Sequence, residues 1–527
     1  MVFVYKHRLS FFESLNEVRV MVALTERYAS KIRGVLSCFD RVVITGTLPD
    51  ICYADAMSSH LRSKGIRIFD YTQFVEPLRD EIRLHAEDLA RKNGLEIEFI
   101  RKKDFRKEKR LKQIIAKRGD HPGLVHIFSA LEPCPSFKPW HDKKTGKTFL
   151  RGTQSKCVHY YFYFVLEDLG LCYLRVPTWA PFRLQFYFNG HYLLASFLRR
   201  KGFSYRLLDN AFIETEDFPK AQQWADDLQV RLLHRRLDRV AKTFCPMIRH
   251  FPSGYHWTLM QVEFATDVVF KYQSDLRPLY ETITRTAIHA VKPQQVATFL
   301  GRKLHGTYQG EIGNDFHTRI EGTRIKHHMG PVSIKMYDKL GIILRIETTV
   351  NDVSFFKHHR KVEHRDGTWE MKDASLKKSI YSLPVLRELM EAANRRYLEF
   401  ISAIEDPTAG IKNLEKISEP ASDGQRTYRG FNLFHGQDLK LFEGIVRGEF
   451  NIRGFQNRFL RTILPEKSGT QVSRMFKRLR MHGLIKKVRG TYKYYLTHLG
   501  QKVANTALKL RTMFIIPSLM ETAVVRT

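Results

Sequence analysis

The sequence predicts a multidomain chain that joins an α/β fold to an α+β fold. A mainly parallel sheet comes first, a mixed middle with antiparallel hairpins follows, and a small helical domain with its own hairpin closes the chain. Three observations predict this. Between Val35 and Leu131, β-branched runs alternate with amphipathic helices. From Cys157 onward, aromatic-rich strands follow one another across tight turns. After a Pro-, Gly- and Ser-rich stretch at 406–430, three helical patterns precede a basic hairpin. A chain of 527 residues also exceeds one core.

Residues 1–33 read as a basic helical arm. The run 35–48 is a strand, 53–65 a helix stopped at Gly65, and 66–70 a second strand. A long helix over 74–94, a strand at 95–100, a basic helix over 104–119 and a strand at 123–131 follow. Strands spaced by helices imply right-handed crossovers and parallel pairing, so 34–135 is expected to form the α/β domain. Parallel sheets place ligands at the carboxyl ends of strands. This singles out Asp40 in the first strand, Thr45, Thr47 and Asp50 near its end, and Asp70 at the end of the second. Asp40 has two readings: a metal-binding carboxylate, or a buried carboxylate held by Arg41 or Arg33. No GxGxxG or P-loop lysine follows the first strand, so nothing supports a nucleotide cofactor.

Residues 136–405 are expected to form a basic α+β domain. A polar hairpin at 141–149, two aromatic strands over 157–177 and a third at 182–191 are antiparallel signals. The aromatics beside Lys156, Arg175 and Arg183 suit core packing or the stacking of unpaired bases, which keeps RNA as an alternative partner. Helices dominate 192–300. Within them, 258–271 places Glu263 and Asp267 at i and i+4 on one helical face. That spacing fits a divalent cation or salt bridges to nearby arginines.

The segment 319–352 carries the densest polar chemistry. VSIKMYDK and IILRIETT alternate as two strands about Lys339-Leu340-Gly341. Lys335, Tyr337 and Lys339 share one face, Ile334, Met336 and Asp338 the other, and Arg345 and Glu347 share a face on the return strand. With Arg324, Lys326, His327 and His328 close by, this is equipment for phosphate chemistry. Tyr337, Asp338, Lys339, Arg345 and Glu347 resemble the Tyr-Asn/Asp-Lys hairpin of plasmid and phage rolling-circle replication initiators. The His-hydrophobic-His metal motif of the larger initiators is absent, since His327-His328 and His358-His359 have other spacings.

Residues 406–435 read as a linker. Three helical patterns follow, with apolar faces at Leu439, Phe442, Ile445 and Val446, at Phe455, Phe459, Leu460 and Ile463, and at Val472, Met475, Phe476 and Leu479. Pro465 and Gly483 act as stops. LIKKV and YKYYLT then read as strands about Arg489-Gly490-Thr491. Three helices and a hairpin over 436–513 resemble a winged helix, most closely that of MarR-type bacterial regulators; 514–527 is a tail. The third helix leaves Gln471, Ser473, Arg474, Lys477, Arg478 and Met481 outside its apolar face. Cations for phosphates and short polar groups for base edges are what a recognition helix needs. Lys486, Lys487, Arg489 and Lys493 make the hairpin basic.

The chain carries 87 Lys+Arg against 55 Asp+Glu, a formal charge of +32. Such an excess repels itself, and a polyanion is the simplest partner. No apolar run of about 18 residues marks a membrane span. Six scattered cysteines form no C-x-x-C pair, which argues against a zinc ribbon or a disulfide framework. The amino terminus lacks a signal peptide's apolar core, so a reducing cytoplasm is expected. The expected function is duplex DNA binding by a bacterial or mobile-element protein. The alternatives are an RNA-associated protein or a metal-dependent nuclease, transposase or replication initiator. The enzyme would use carboxylates from Asp40, Asp338 and Glu347, magnesium, and Tyr337 as candidate nucleophile. It would gather its carboxylates within about 4–6 Å, a regulator would leave them dispersed, and an RNA protein would expose aromatics on one sheet face.

Overall fold

Alternating β-branched and aromatic residues draw the first unit, residues 1–405, into a sheet of eleven strands. The computed structural model describes residues 24–102, 104–302, 310–319, 322–364, 366–405, 408–446, 454–488, 491–516 and 519. Most of the expected arm at 1–33 and tail at 514–527 therefore lies outside the described residues.

The chain begins with β1 (Ile32–Thr47), helices Ala54–Ser63 and Tyr71–Lys92, β2 (Ile97–Phe99) and helix Lys107–Arg118. Then come β3 (Gly123–Asp142), β4 (Lys147–Leu166), β5 (Gly170–Pro177) and β6 (Leu184–Asn189). Helix Gly190–Arg200 leads to a separate hairpin, β7 (Tyr205–Leu208) and β8 (Ala211–Thr215), and to helices Phe218–Asp226 and Val230–Phe244. The long β9 (His256–Phe270) and helices Gln273–Ala290 and Pro293–Phe299 precede β10 (Ile312–Arg319), β11 (Gly322–Met329), β12 (Val332–Lys339) and β13 (Ile343–Val350). An exposed hairpin, β14 (Lys357–Glu363) and β15 (Trp369–Ser375), and helix Leu383–Glu405 end the unit.

The sheet order is β10-β11-β12-β13-β9-β1-β6-β5-β4-β3-β2. Its pairs are antiparallel except β2–β3, so the sheet is mixed and the mainly parallel expectation is corrected. The helices after β1 look like crossovers in the sequence, yet β1 pairs with β6 and β9, which arrive much later. Residues 66–70 form no strand; a 3-10 turn, Ile68–Asp70, stands there. The boundary expected at 135/136 falls inside β3, so both expected domains share one sheet. The segment 258–271 is strand rather than helix. Glu263 and Asp267 still share a face, because i and i+4 coincide in a period of two as well as in a helix.

One sheet face, carrying Phe39, Val42, Phe264 and Ile346, packs beneath helices Tyr71–Lys92, Val230–Phe244, Gln273–Ala290 and Leu383–Glu405. The other face is covered in two patches. Helices Gly190–Arg200 and Phe218–Asp226 and strand β8 lie on Leu36, Val269 and Ile343. Helix Lys107–Arg118 lies on Phe128, Tyr161 and Tyr163. The aromatics of β4 are therefore buried on both faces, as core packing requires. Between the patches the strands carry polar residues.

The second unit, residues 406–527, has a core of its own built on Leu439, Phe442, Phe455, Leu460, Val472, Phe476 and Leu479. Its elements are helix Thr408–Ser418, β16 (Ala421–Ser422), β17 (Thr427–Tyr428), helices Gly436–Ile445, Asn457–Ile463 and Gly469–Met481, β18 (Ile485–Lys487), β19 (Tyr494–Leu496) and helix His498–Leu510. Phe455 bridges to Tyr494 beside the β18–β19 pair. The expected linker is corrected: Ile417 and Phe431 belong to this core. Phe459, expected to be buried, is 39% exposed, with the Arg458 guanidinium over its ring.

Candidate functional site

Asp40 owes its position to a bulge. Between the pairs Phe39–Phe264 and Val42–Val262, Asp40 and Arg41 together oppose the single residue Glu263. The extra residue breaks the alternation of β1. Phe39 and Val42 can thus both face the core, while Asp40 turns to the polar face.

Two carboxylates and two cations meet there, all out of contact with bulk water: Asp40, Asp267, Arg345 and His191. Arg345 Nε and Nη2 donate to Asp267 Oδ1 and Oδ2, each at 2.6 Å. Nη1 lies 3.4 Å from Asp40 Oδ2, and Nη2 also donates to the Asn210 carbonyl at 2.7 Å. Asn189 Nδ2 donates to Asp40 Oδ1 at 2.9 Å, and Asn210 Nδ2 donates to the same oxygen. His191 stands with Nδ1 3.3 Å from Asp40 Oδ1 and Nε2 3.9 Å from Asp267 Oδ2. Arg345 Nη2 also lies 3.3 Å from His191 Nε2. Gly190 makes the approach possible: a Cβ there would lie 2.1 Å from the Phe39 carbonyl oxygen.

The electrostatics follow. Burial alone would raise both aspartates, but His191 and Arg345 outweigh it and hold each carboxyl below its ordinary range. Burial opposes the charged imidazole of His191, yet the Asp267 and Asp40 carboxylates push it well above its ordinary value.

A second cluster adjoins the first. Carboxylate oxygens of Asp40, Glu263 and Glu347, from the adjacent strands β1, β9 and β13, lie within 4.8 Å of one another. Lys335 Nζ donates to Glu347 Oε1 at 2.6 Å and reaches Glu263 Oε1 at 3.5 Å, while Tyr337 OH donates to Glu347 Oε2 at 2.7 Å. Burial and the nearby Glu347 raise Glu263 above the ordinary carboxylate range. Lys335 is raised despite its burial, because the two glutamates favour its charge. Three carboxylates offer the hard oxygen donors that suit Mg²⁺ or Mn²⁺. Their oxygens already have donors, Glu347 from Lys335 and Tyr337 and Asp40 from Asn189, Asn210 and Arg345, so an ion would take the place that the Lys335 ammonium holds.

Of the expected catalytic residues, Asp40, Tyr337 and Glu347 come together and Asp338 does not. Asp338 shares the Ile334–Met336 face and lies opposite Leu344, because a strand alternates faces at each residue. His327 is on that core face too, between Asn314 and Tyr397, and burial lowers it to about 4. Asp50 accepts from Ser253, Asp70 pairs with Arg67, and Arg33 pairs with Glu214 rather than Asp40. Sequence reasoning missed Asn189, His191 and Asn210, which arrive from about 150 residues away and have no spacing signal. Glu263 did carry one, its phase with Asp267.

In the second unit, Gln471 is committed to a capping box: its Oε1 accepts from the Ser468 N–H at 2.8 Å. Ser473 Oγ accepts from Asn457 at 2.8 Å, and Lys477 pairs with Asp423 at 2.8 Å. Arg474, Lys486, Lys487 and Lys493 are exposed, and so is Arg480, which the helical pattern did not single out. Arg489 lies outside the described residues. Arg478 is a correction. It is buried, donates to both Asp438 oxygens at 2.6 and 2.9 Å, and lies 3.7 Å over the Phe431 ring. The segment read as a linker supplies that ring and covers this side of the helix.

No protein-family model matches the chain, and neither a curated protein nor a solved structure matches it.

Proposed function

We propose that this protein acts on DNA with a divalent metal, cleaving or transferring phosphodiesters at Asp40, Glu263 and Glu347. The observation that carries this reading is their convergence within 4.8 Å from three adjacent strands. Lys335 and Arg345 offset part of this negative charge, and an ion shared by the three carboxylates would offset the rest. Asp40, Glu263 and Glu347 would hold the ion, which supplies Lewis-acid stabilisation of a phosphodiester. Arg345 and His191 fix the Asp40 carboxylate. Lys335 holds Glu347 and presents a positive charge to a phosphate oxygen. Burial and Glu347 keep the Tyr337 phenol protonated, so it serves as a hydrogen-bond donor here.

The second unit is proposed to be a winged helix that binds duplex DNA. Its order of three helices, hairpin and helix supports this, as do the exposed cations Arg474, Lys486, Lys487 and Lys493. RNA has less support, because the aromatics of β4 are packed inside.

The test is nicking of supercoiled DNA by the full chain with magnesium or manganese. The wild type should nick, whereas Glu347→Gln and Glu263→Gln should not, with circular dichroism and DNA affinity preserved. A wild type inactive with both metals removes the enzyme reading and leaves only DNA binding.

A further inference from the structure

A cavity of about 290 Å³ opens further along the strands that carry the carboxylate cluster, and none of the three carboxylates lines it. Its floor is a cross-strand row, Thr45 of β1, Gln185 of β6 and Arg175 of β5, each directly paired with the next. Gln185, Tyr187 and Asn189 alternate onto one face of β6, and Asn189 binds Asp40. The cavity floor and the Asp40 clasp thus lie four residues apart on one strand, about 13 Å at about 3.3 Å per residue.

The lining has a definite chemistry. It includes Arg175 and Arg183 and no carboxylate. Arg175 is shared with Glu132 at 2.9 Å, but Arg183 is exposed and makes no ion pair among the described residues. Trp179 forms one wall, its ring fixed by donation from Nε1 to Ser136 Oγ at 2.9 Å. Pro177 and Pro181 add rigid apolar surface. Surplus guanidinium charge selects an anion, and flat apolar walls select a ring. The volume is at the lower edge of ligand pockets, about 300–1,000 Å³. It suits one nucleotide and excludes a base pair.

We propose that this cavity holds an unpaired nucleotide of the substrate strand, with its phosphate on Arg183 and its base against Trp179. This rests on the phosphodiesterase reading and gives that site its substrate class: a strand that is single-stranded a short way along from the scissile phosphate. Stacking on an aromatic wall is tolerant of sequence, so the cavity selects strandedness more than base identity.

The experiment uses the full chain in EDTA, where binding is separated from cleavage. A single-stranded 12-mer with one 5-iodouracil is irradiated, and the crosslinked peptide is identified by mass spectrometry. Crosslinking at Trp179 is expected, and much less of it with the same strand in a duplex. Arg183→Ala should weaken binding of the 12-mer at least fivefold, and Lys143→Ala, in an exposed turn, less than twofold. Crosslinks only outside the cavity overturn the proposal, as does an Arg183→Ala loss no larger than that of Lys143→Ala. Crosslinking at Trp179 with no nicking in either metal leaves the nucleotide site standing and defeats the enzyme reading alone.

Discussion

Arg345 lies directly opposite Asp267 across β13 and β9, and two hydrogen bonds of 2.6 Å join them where neither side chain meets bulk water. Breaking a buried pair from one side leaves an uncompensated charge, which typically costs about 3–5 kcal/mol. Arg345→Met should therefore destabilise the first unit by about that much in urea denaturation. Arg33→Ala, whose pair with Glu214 is part-exposed, should change it by less than about 1 kcal/mol. Equal losses would show that the quartet is not what holds these strands.

The pH dependence has a defined sign at each end. His191 binds its proton more tightly folded than unfolded, where its value is about 6.5. Its contribution is complete below that pH and is lost as pH rises through the folded value. Stability should thus decline from about pH 6.5 upward, and His191→Gln should flatten the decline in urea melts. Asp40 and Asp267 run the other way: their contribution is complete above about pH 3.9 and is lost as pH falls through their lowered values.

Glu263 separates stability from function. Burial and Glu347 disfavour its charge, so the folded state binds its proton more tightly. In metal-free buffer at neutral pH, Glu263→Gln should raise the melting temperature. Added Mn²⁺ should raise the melting temperature of the wild type and leave that of the variant unchanged. A lower melting temperature would mean that the ammonium of Lys335 needs Glu263 as well as Glu347.

Two arginines on one helix should behave oppositely. Arg474→Ala should weaken duplex DNA binding with little change in stability, since Arg474 is exposed. Arg478→Met leaves Asp438 buried and unpaired, and should cost about 3–5 kcal/mol in the second unit. Phe476→Ala, in the core of that unit, should cost about 3–5 kcal/mol.

The sequence by itself determined local matters. The faces of the hairpin at 332–349 and the apolar stripe of Val472, Phe476 and Leu479 are repeats of period two and 3.6, and the turn at Leu340-Gly341 rests on two residues of positive φ, all set by neighbours in the chain. It also carried the phase of Glu263 with Asp267, though under the wrong element type. Only the tertiary structure decided the rest. Whether β1 pairs with the next strand or with β6 and β9 is a matter of long-range hydrogen bonding, which leaves no period in the sequence. The bulge at Asp40 exists only relative to its partner strand, and the Asn189, His191 and Asn210 clasp exists only once β1 and β6 meet. Arg478 reads as a surface cation until the segment carrying Phe431 folds over it and Asp438 takes its charge inside. A side chain's period shows which face it lies on; which residues cover that face depends on chain that is distant in sequence.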